Sequence, residues 1–419
     1  MNQQNANKSF SNTDHSESTW SRPRLNDITL KITDGAHSSP PSVVVSEGYP
    51  MYSVKNMTET GFEREQPRYI GKDDYNQLIQ QGCKPKINDV LIAKDGSVLK
   101  YSFVIKNEFN GVLLSSIAII RPDINTLHPE YLAQYFKKER VRKYIARALT
   151  TGSGVPRIVL KDFRSLRIPL PPLPEQKKIA EILSTWDEAI QKQEQIIAAK
   201  EKLKKGLMQQ LLTGKKRFPG FEGDWKEVKL KEIFHIARGG SPRPIKSYIT
   251  EDANGVNWIK IGDTKSTSKY IYSTQEKIKP SGVKKSLLVK PGDFILSNSM
   301  SFGRPYIMKT EGCIHDGWLL LRLKGELSTD FMYYLLGSDN MANKFKSKAA
   351  GSTVKNLNIK LVETVKVKVP SFEEQNRISN ILSNLDQELE YMIKSRDKLI
   401  DQKKGLMQQL LTGKIRVNT

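Results

Sequence analysis

The chain has 419 residues and a formal net charge of +22, from 67 lysines and arginines against 45 aspartates and glutamates. This length exceeds one typical hydrophobic core and predicts at least two domains. An apolar content of 38% argues against wholesale disorder, and the cationic excess favours a polyanionic ligand. The two cysteines, Cys83 and Cys313, are far apart in the sequence, which argues against a disulfide scaffold or zinc ribbon. Because no apolar run could cross a bilayer, a cytoplasmic protein is predicted.

The first residues differ in composition from the rest of the chain. Residues 1–19 are polar and rich in Asn, Gln and Ser, which predicts a flexible N-terminal tail and not a signal peptide. At Trp20 the spacing W-x4-L-x2-I begins, and it returns at Trp225. Gly35 then aligns with Gly240, in Gly/Ser/Pro loops that follow short apolar strands.

Further equivalent segments follow at nearly the same offset. Asp89 and Asp293 open short apolar strands, each followed by a polar loop. Segments 129–149 and 329–349 both carry apolar residues at three- and four-residue steps and are predicted to be helical. The chain is therefore predicted to contain the same mixed α/β (α+β) domain twice. The predicted boundaries are 20–172 for the first domain, 173–214 for a first long helix, 215–370 for the second domain, and 371–419 for a second long helix and the C-terminus.

The most informative repeat is KKGLMQQLLTGK, which occurs at 204–215 and again at 403–414. It closes two predicted helices that would end at Gly214 and Gly413. Ser371 and Glu374 predict a capping box at the start of the second helix. The first helix would extend about 57 Å.

Matching apolar stripes predict that the two helices pack on each other as an antiparallel coiled coil. Such stripes are also typical of an ordinary buried helix face. The order domain–helix–domain–helix would then place the domains at opposite ends of a rod, related by a pseudo-two-fold axis. Two similar domains at a fixed separation suit duplex DNA, whose turn is about 34–36 Å. The stripe comprises Ile179, Leu183, Trp186, Ile190 and Ile197 in the first helix, and Ile378, Leu382, Leu385, Leu389, Met392 and Leu399 in the second.

The combination of these segments resembles the specificity subunit of type I restriction-modification enzymes. The resemblance is carried by the duplication, the PLPPLPEQxxIAxIL and FPGFEGDWKEVKL segments and the KKGLMQQLLTGK close, and it covers nearly the whole chain from about Trp20. It implies a non-catalytic DNA-binding subunit with two target recognition domains, each recognising one half of a bipartite, asymmetric site. It also implies that the helices set the spacer and dock two methyltransferase subunits, which methylate adenine with S-adenosylmethionine. Motor-nuclease subunits would add cleavage of foreign DNA with ATP and Mg.

The sequence contains no catalytic motif of its own. A phosphate-binding G-x-x-x-x-G-K-[ST] loop and the N-P-P-Y/F motif of adenine methyltransferases are both missing. The five histidines have no metal-ligand spacing. These absences argue against a self-sufficient nuclease or methyltransferase, and no cofactor or metal is predicted in this chain. The remaining alternative is a non-catalytic coiled-coil adaptor that binds RNA or protein.

The candidate DNA contacts lie in loops that align between the two halves. Two aligned Gly-Ser loops, at 152–153 and 351–352, follow the segments 129–149 and 329–349. The basic residues of those helical segments suggest phosphate contact, although such runs are more often solvated helix faces. Loops after the strands offer donors and acceptors that suit base edges. The candidates are His37, Ser38, Ser39, Lys94, Lys100, Arg147, Ser153 and Arg157 in the first half, and Ser241, Arg243, Asn298, Ser301, Arg304, Lys348, Ser352 and Lys355 in the second.

Overall fold

The structure is a computed structural model that describes residues 20–63, 65–96, 99–148, 157–264, 268–298, 303–350 and 357–419. The predicted tail, residues 1–19, lies outside these ranges. The described residues divide into two compact units. Unit 1 comprises the chain up to Glu194 together with Lys394–Thr419, and unit 2 comprises Gln195–Ile393. No helix within the described ranges is long and apolar enough to span a membrane.

Unit 1 is built from two small sheets and the helices that cover them. Its strands are β1 (Thr29–Asp34), β2 (Tyr49–Tyr52), β3 (Arg68–Ile70), β4 (Val90–Ala93), β5 (Ser102–Val104), β6 (Val112–Leu113) and β7 (Ile117–Pro122). Its helices are α1 (Lys72–Gln80), α2 (Pro129–Lys137), α3 (Glu139–Ala148), α4 (Leu160–Ser165) and the first part of α5 (Leu173–Leu211). The strand orders are β1-β7-β4-β5, which is antiparallel throughout, and β3-β2-β6.

Both faces of the four-stranded sheet of unit 1 are buried. Val90 and Ile92 pack with helices α2–α5, whereas Leu91 and Ala93 face a second cluster that includes Met57. The alternation follows from the two-residue period of a strand, which sends neighbouring side chains to opposite faces. Strand β4 therefore lies inside the unit, with its apolar sequence satisfied on both sides.

Unit 2 repeats this plan with more strands. Its strands are β8 (Lys226–Lys229), β9 (Phe234–Arg238), β10 (Ile249–Thr250), β11 (Val256–Ile259), β12 (Tyr270–Ile271), β13 (Glu276–Ile278), β14 (Leu287–Val289), β15 (Phe294–Ser297), β16 (Pro305–Met308), β17 (Gly312–Ile314), β18 (Trp318–Leu323) and β19 (Lys366–Val369). Its sheets have the orders β12-β16-β15-β18-β9, β10-β13-β11-β17-β14 and β19-β8. Its helices are α6 (Leu230–Ile233), α7 (Pro280–Val283), α8 (Thr329–Leu336), α9 (Asp339–Ala350), α10 (Ile359–Glu363) and the first part of α11 (Phe372–Leu410).

Strand register shows how the two units correspond. In unit 1 the β1–β7 ladder shifts register between Thr29 and Lys31, whereas β9 and β18 pair in continuous register. This bulge adds one residue to unit 1. It explains why Trp20 and Trp225 are 205 positions apart, whereas Asp89 and Asp293, later in the repeat, are 204 apart. The alignment of Gly35 with Gly240 is therefore wrong by one residue. The backbone N–H of Gly35 donates to the first residue of β7, and the N–H of Gly239 donates to the first residue of β18.

Two further expectations about helices are corrected. The predicted helix 129–149 is two helices, because the backbone of Lys138 is extended between α2 and α3. Its counterpart 329–349 is also two helices, and the hydroxyl of Ser338 accepts the N–H of Met341 at the start of α9.

The capping box predicted at the start of α11 forms only in part. Ser371 accepts the N–H of Glu374, but the Glu374 carboxylate instead accepts hydrogen bonds from Arg217 and Trp225.

The long helices run antiparallel inside each unit. Both α5 and α11 have 39 residues, and each passes from one unit into the other. In unit 1, Glu175 pairs with Arg416 and Asp187 pairs with Lys403. The residue numbers along α5 increase while those of the paired residues decrease, as expected for antiparallel segments. The mixed α/β fold with two repeated domains and long helices is confirmed.

The apolar stripe follows this pairing. Most of its members are buried, and the helix ends merge with the domain cores. Ile179 and Leu183 pack with Met407 and Leu410 in the core of unit 1. In unit 2, Ile378 and Leu382 pack with Leu211 and Leu212. The residues Ile197, Leu385 and Leu389 are buried, whereas Trp186, Ile190, Met392 and Leu399 are half-buried.

Candidate nucleic-acid interface

Three loops of unit 1 meet at one edge of its four-stranded sheet. Strands β1 and β4 end there and β7 begins there, since Asp34 pairs with Ala118 and Ala93 pairs with Ile117. Antiparallel neighbours bring the end of one strand beside the start of the next. Residues 34–39, 94–96 and 157 form this loop edge of unit 1.

A charged network connects the loop edge of unit 1. Asp34 lies at its centre, with Oδ1 3.1 Å from His37 Nε2 and Oδ2 3.2 Å from Lys94 Nζ. Lys94 also lies 3.5 Å from Asp95 Oδ1, and the same oxygen lies 3.2 Å from Arg157 Nε. His37 and Arg157 form the outward ends of the network, with side chains 77% and 59% exposed.

Lys94 is not placed as a solvent-facing base reader, which corrects that expectation. Its side chain is only 5% exposed, and its ammonium lies between two carboxylates. A buried ammonium needs such partners, because an isolated buried charge is very costly. Lys94 therefore joins the loops and holds Asp34 and Asp95 in place.

The equivalent loop edge of unit 2 is formed by residues 238–243, 298 and 315–317. Its centre is Asp316, whose Oδ1 accepts the Ser241 hydroxyl at 2.8 Å. Its backbone carbonyl accepts Arg238 Nε at 3.1 Å and Asn298 Nδ2 at 2.8 Å. The hydrogen bond from Ser241 is the main reason that the pKa of the Asp316 carboxyl lies below its ordinary value. Arg243 lies 3.9 Å from Asp316 Oδ2, and its side chain is 84% exposed.

Asn298 corrects a second expectation. It occupies the position after β15 that Lys94 occupies after β4, and it too is buried. Its amide supports the 315–317 turn, so it is not presented to a ligand as the sequence suggested.

In both units the segment that follows the Gly-Ser loop hydrogen-bonds to the backbone of the residue after the central strand. The N–H of Ile158 donates to the Lys94 carbonyl, and the N–H of Leu357 donates to the Asn298 carbonyl.

Each loop edge depends on a glycine that follows β1 or β9. A Cβ atom on Gly35 would overlap the carbonyl oxygen of Leu113, and one on Gly239 would overlap the carbonyl oxygen of His315. Only glycine permits such a close approach of two backbones. These positions therefore need glycine to bring the loops together.

The remaining described candidates have exposed or half-buried side chains. Ser38 and Ser39 are exposed, and the Ser39 hydroxyl accepts Arg68 Nη1 at 2.6 Å. Lys100 Nζ lies 5.3 Å from the Tyr101 ring centroid, and half-buried Arg304 lies 5.6 Å from that of Tyr306. Arg147 and Lys348 are exposed in the last turns of α3 and α9. The candidates Ser153, Ser301, Ser352 and Lys355 lie outside the described residues.

The sequence pattern did not predict that carboxylates organise both edges. Asp34, Asp95 and Asp316 contact neighbouring side chains of their own loop edges. Each of the three is followed directly by glycine. An Asp-Gly dipeptide after a strand is a turn signal, and it could have identified these positions. Within the described part of the chain, no three His, Cys, Asp or Glu side chains are grouped to hold a metal ion.

The comparison with known proteins assigns the family. The family described as "Type I restriction modification DNA specificity domain" matches residues 18–201 and again 222–398. The chain belongs to this family. It is therefore a specificity subunit, the non-catalytic DNA-recognition component of a type I restriction-modification system, as the sequence resemblance implied. Specificity subunits of these systems assemble with other subunits and with DNA.

Relatives agree with that assignment, and solved structures share the fold. The putative type I restriction enzyme MjaX specificity subunit of Methanocaldococcus jannaschii is 28% identical over 96% of this chain and 94% of its own length. The MjaVIII specificity subunit of the same organism is 29% identical over 79% of this chain and 80% of its own. The S subunit of M. genitalium shares the fold, with a TM-score of 0.58, 19% identity, and coverage of 95% of this chain and 97% of that chain. A chain from a structure on the assembly and conformational transition of the type I R-M system has a TM-score of 0.62 at 20% identity, covering 94% and 98%.

Proposed function

We propose that the loop edge of each unit recognises one half of a bipartite, asymmetric DNA site. The observation that carries this proposal is that the two edges share one scaffold and present different side chains. Unit 1 presents His37 and Arg157 from an acidic network, whereas unit 2 presents Arg243 beside Ser241 and Asp316. Groups with different donor and acceptor patterns select different base pairs in the major groove. Two unlike edges therefore favour two unlike half-sites.

The two long helices are proposed to set the spacer and to dock two methyltransferase subunits. The twelve residues of KKGLMQQLLTGK are the same in both copies, which suits two identical partners. Those partners would use S-adenosylmethionine to methylate adenine, and motor-nuclease subunits would use ATP and Mg to cleave unmodified DNA. The complex would act in the cytoplasm, where it meets the cell's DNA and incoming foreign DNA.

The test is to express the chain with its methyltransferase partner in a host that lacks adenine methylation and to map the modified adenines. A split motif with two unlike halves and a fixed gap is expected. His37→Ala and Arg243→Ala provide a matched pair, because each side chain is highly exposed on a different edge. Each variant should relax only one half of the motif, by about 1–3 kcal/mol of base discrimination. A continuous motif, or equal loss at both halves from either variant, would overturn the assignment.

A further inference from the structure

Each unit contains a carboxylate that connects three helices. In unit 1 this is Asp187 on α5. Its Oδ2 accepts a hydrogen bond from Gln134 Nε2 of α2 at 2.7 Å and lies 3.2 Å from Lys137 Nζ of the same helix. Its Oδ1 accepts from Lys403 Nζ of α11. One side chain therefore joins the globular domain to both long helices.

Unit 2 contains the same arrangement with the helices exchanged. Asp386 on α11 accepts a hydrogen bond from the Tyr334 hydroxyl of α8 at 2.6 Å, and it pairs with Lys204 of α5. Asp187 and Asp386 are 199 positions apart, as are Lys204 and Lys403. Each pair therefore occupies the same place in the repeat. We name Asp187–Lys403 and Asp386–Lys204 the register pairs.

The register pair of unit 1 is largely buried, and that of unit 2 is half-buried. The side chains of Lys403 and Asp187 are 9% and 21% exposed, and those of Lys204 and Asp386 are 23% and 35% exposed. Burial alone would raise the pKa of the Asp187 carboxyl, but Lys137 and Lys403 outweigh it and leave that pKa below its ordinary value. Burial lowers the pKa of Lys403 at the same time. Because two cations and an amide face one carboxylate, the ion pair is the dominant state near neutral pH.

A buried ion pair selects one alignment of two helices more sharply than an apolar stripe. Leucine and isoleucine side chains can find new partners after a slip, whereas a slipped lysine and aspartate would both be left buried and unpaired. In the Lys200–Glu388 pair the glutamate side chain is 51% exposed, so water screens that pair more and it contributes less. A slip of one helical turn would move one helix by about 5.4 Å, which exceeds the rise of one base pair, about 3.4 Å.

We propose that the two register pairs are positioning residues that fix the axial alignment of α5 and α11, and with it the number of base pairs allowed between the half-sites. This inference rests on the proposed function, in which the helices set the spacer. Through Gln134 and Tyr334 the same carboxylates orient each globular domain on the helices. The pairs thus determine gap length without contacting DNA.

The test measures methylation by the complex on duplexes with the native gap and with one or two base pairs added or removed. In the full chain, Lys204→Met with Lys403→Met should keep the identity of both half-sites but lower the preference for the native gap about tenfold. Lys200→Met is the control, since it removes the Lys200–Glu388 pair of the same helix, whose glutamate is exposed, and its gap preference should match the wild type. An unchanged preference in the folded double variant would overturn the proposal.

Charge exchange in unit 2 separates positioning from general stability. Lys204→Asp and Asp386→Lys should each broaden gap tolerance, and the two together should restore the native preference. If the double methionine variant does not fold, the charge-exchange variant tests the proposal instead. A folded exchange variant that does not recover the native gap preference would overturn the proposal. A continuous wild-type motif would instead contradict the proposed function itself, before any variant is compared.

Discussion

Arg416 donates two hydrogen bonds to the Glu175 carboxylate, from Nε to Oε1 at 2.6 Å and from Nη2 to Oε2 at 2.7 Å. The indole of Trp20 donates to the same carboxylate at 3.2 Å. In unit 2, Arg217 and Trp225 contact Glu374 in the same way. The segment that follows the second KKGLMQQLLTGK copy therefore completes unit 1, as the connection after the first copy completes unit 2.

Removing this contact should loosen the end of α11. Arg416→Met is expected to speed amide hydrogen exchange severalfold over residues 407–417 and to change the fluorescence of Trp20, which packs under the guanidinium. Lys414→Met is the matched control, because Lys414 is exposed nearby and should leave exchange unchanged. Equal protection in the two variants would show that the ion pair does not hold the segment.

The duplication could be predicted because tryptophan, glycine and the strand-opening aspartates recur at nearly constant offsets. What the sequence could not supply was register. The bulge beside Thr29 shifts the alignment by one residue, and only the ladder with β7 reveals it. The burial of Lys94 could not be predicted either. Its partner Asp34 lies at the end of β1, far away in the sequence, and no local pattern indicates that the two side chains are in contact. A contact between residues that are far apart in the sequence leaves no local pattern from which it could be predicted.

A second prediction concerns a pair repeated in both units. Arg121 contacts both oxygens of fully buried Asp89 at 2.8 Å, and Arg322 contacts Asp293 likewise. Asp89→Ala would leave the arginine beside β4 without its acceptor. It should lower the free energy of unfolding of unit 1 by about 2–3 kcal/mol.

Native-state hydrogen exchange measures this loss for each unit separately. The most protected amides of β4 and β7 should lose protection, while those of β15 and β18 in unit 2 should not. Asp293→Ala should give the reverse pattern. Loss of protection in both units from one substitution would contradict the prediction.

A third prediction tests the close backbone approach at the loop edges. Gly239→Ala should force the Ser241 loop away from His315 and weaken recognition of one half-site, at a cost of about 1–3 kcal/mol in stability. Gly262→Ala is a suitable control, because its Cβ would meet nothing within 4 Å. Both variants are compared by duplex binding with either half-site altered. Similar binding by the two would show that the loop can adapt.

The fourth prediction addresses the exposed cations at the ends of α3 and α9. Should Arg147 and Lys348 contact phosphates, Arg147→Ala and Lys348→Ala should each reduce the slope of log affinity against log salt by about 0.9. Binding should weaken to the same degree on all sequences, because phosphate contacts carry no base information. Lys226→Ala is the control, since Lys226 is exposed on β8, which pairs with β19 and is not part of the loop edge of unit 2. A loss confined to the specific site would instead indicate base contact.

The last prediction follows from the lowered pKa of Asp187. A carboxyl whose folded pKa lies below its ordinary value of 3.8 binds fewer protons in the folded state than in the unfolded state. Its contribution to stability is therefore complete well above that value and is lost as the pH falls through the folded pKa. Asp187→Asn should lower the stability of unit 1 at neutral pH and flatten its decline below about pH 4. Acid titration followed by the near-ultraviolet circular dichroism of the wild type and variant measures this, and parallel declines would show that Asp187 titrates alike in both states.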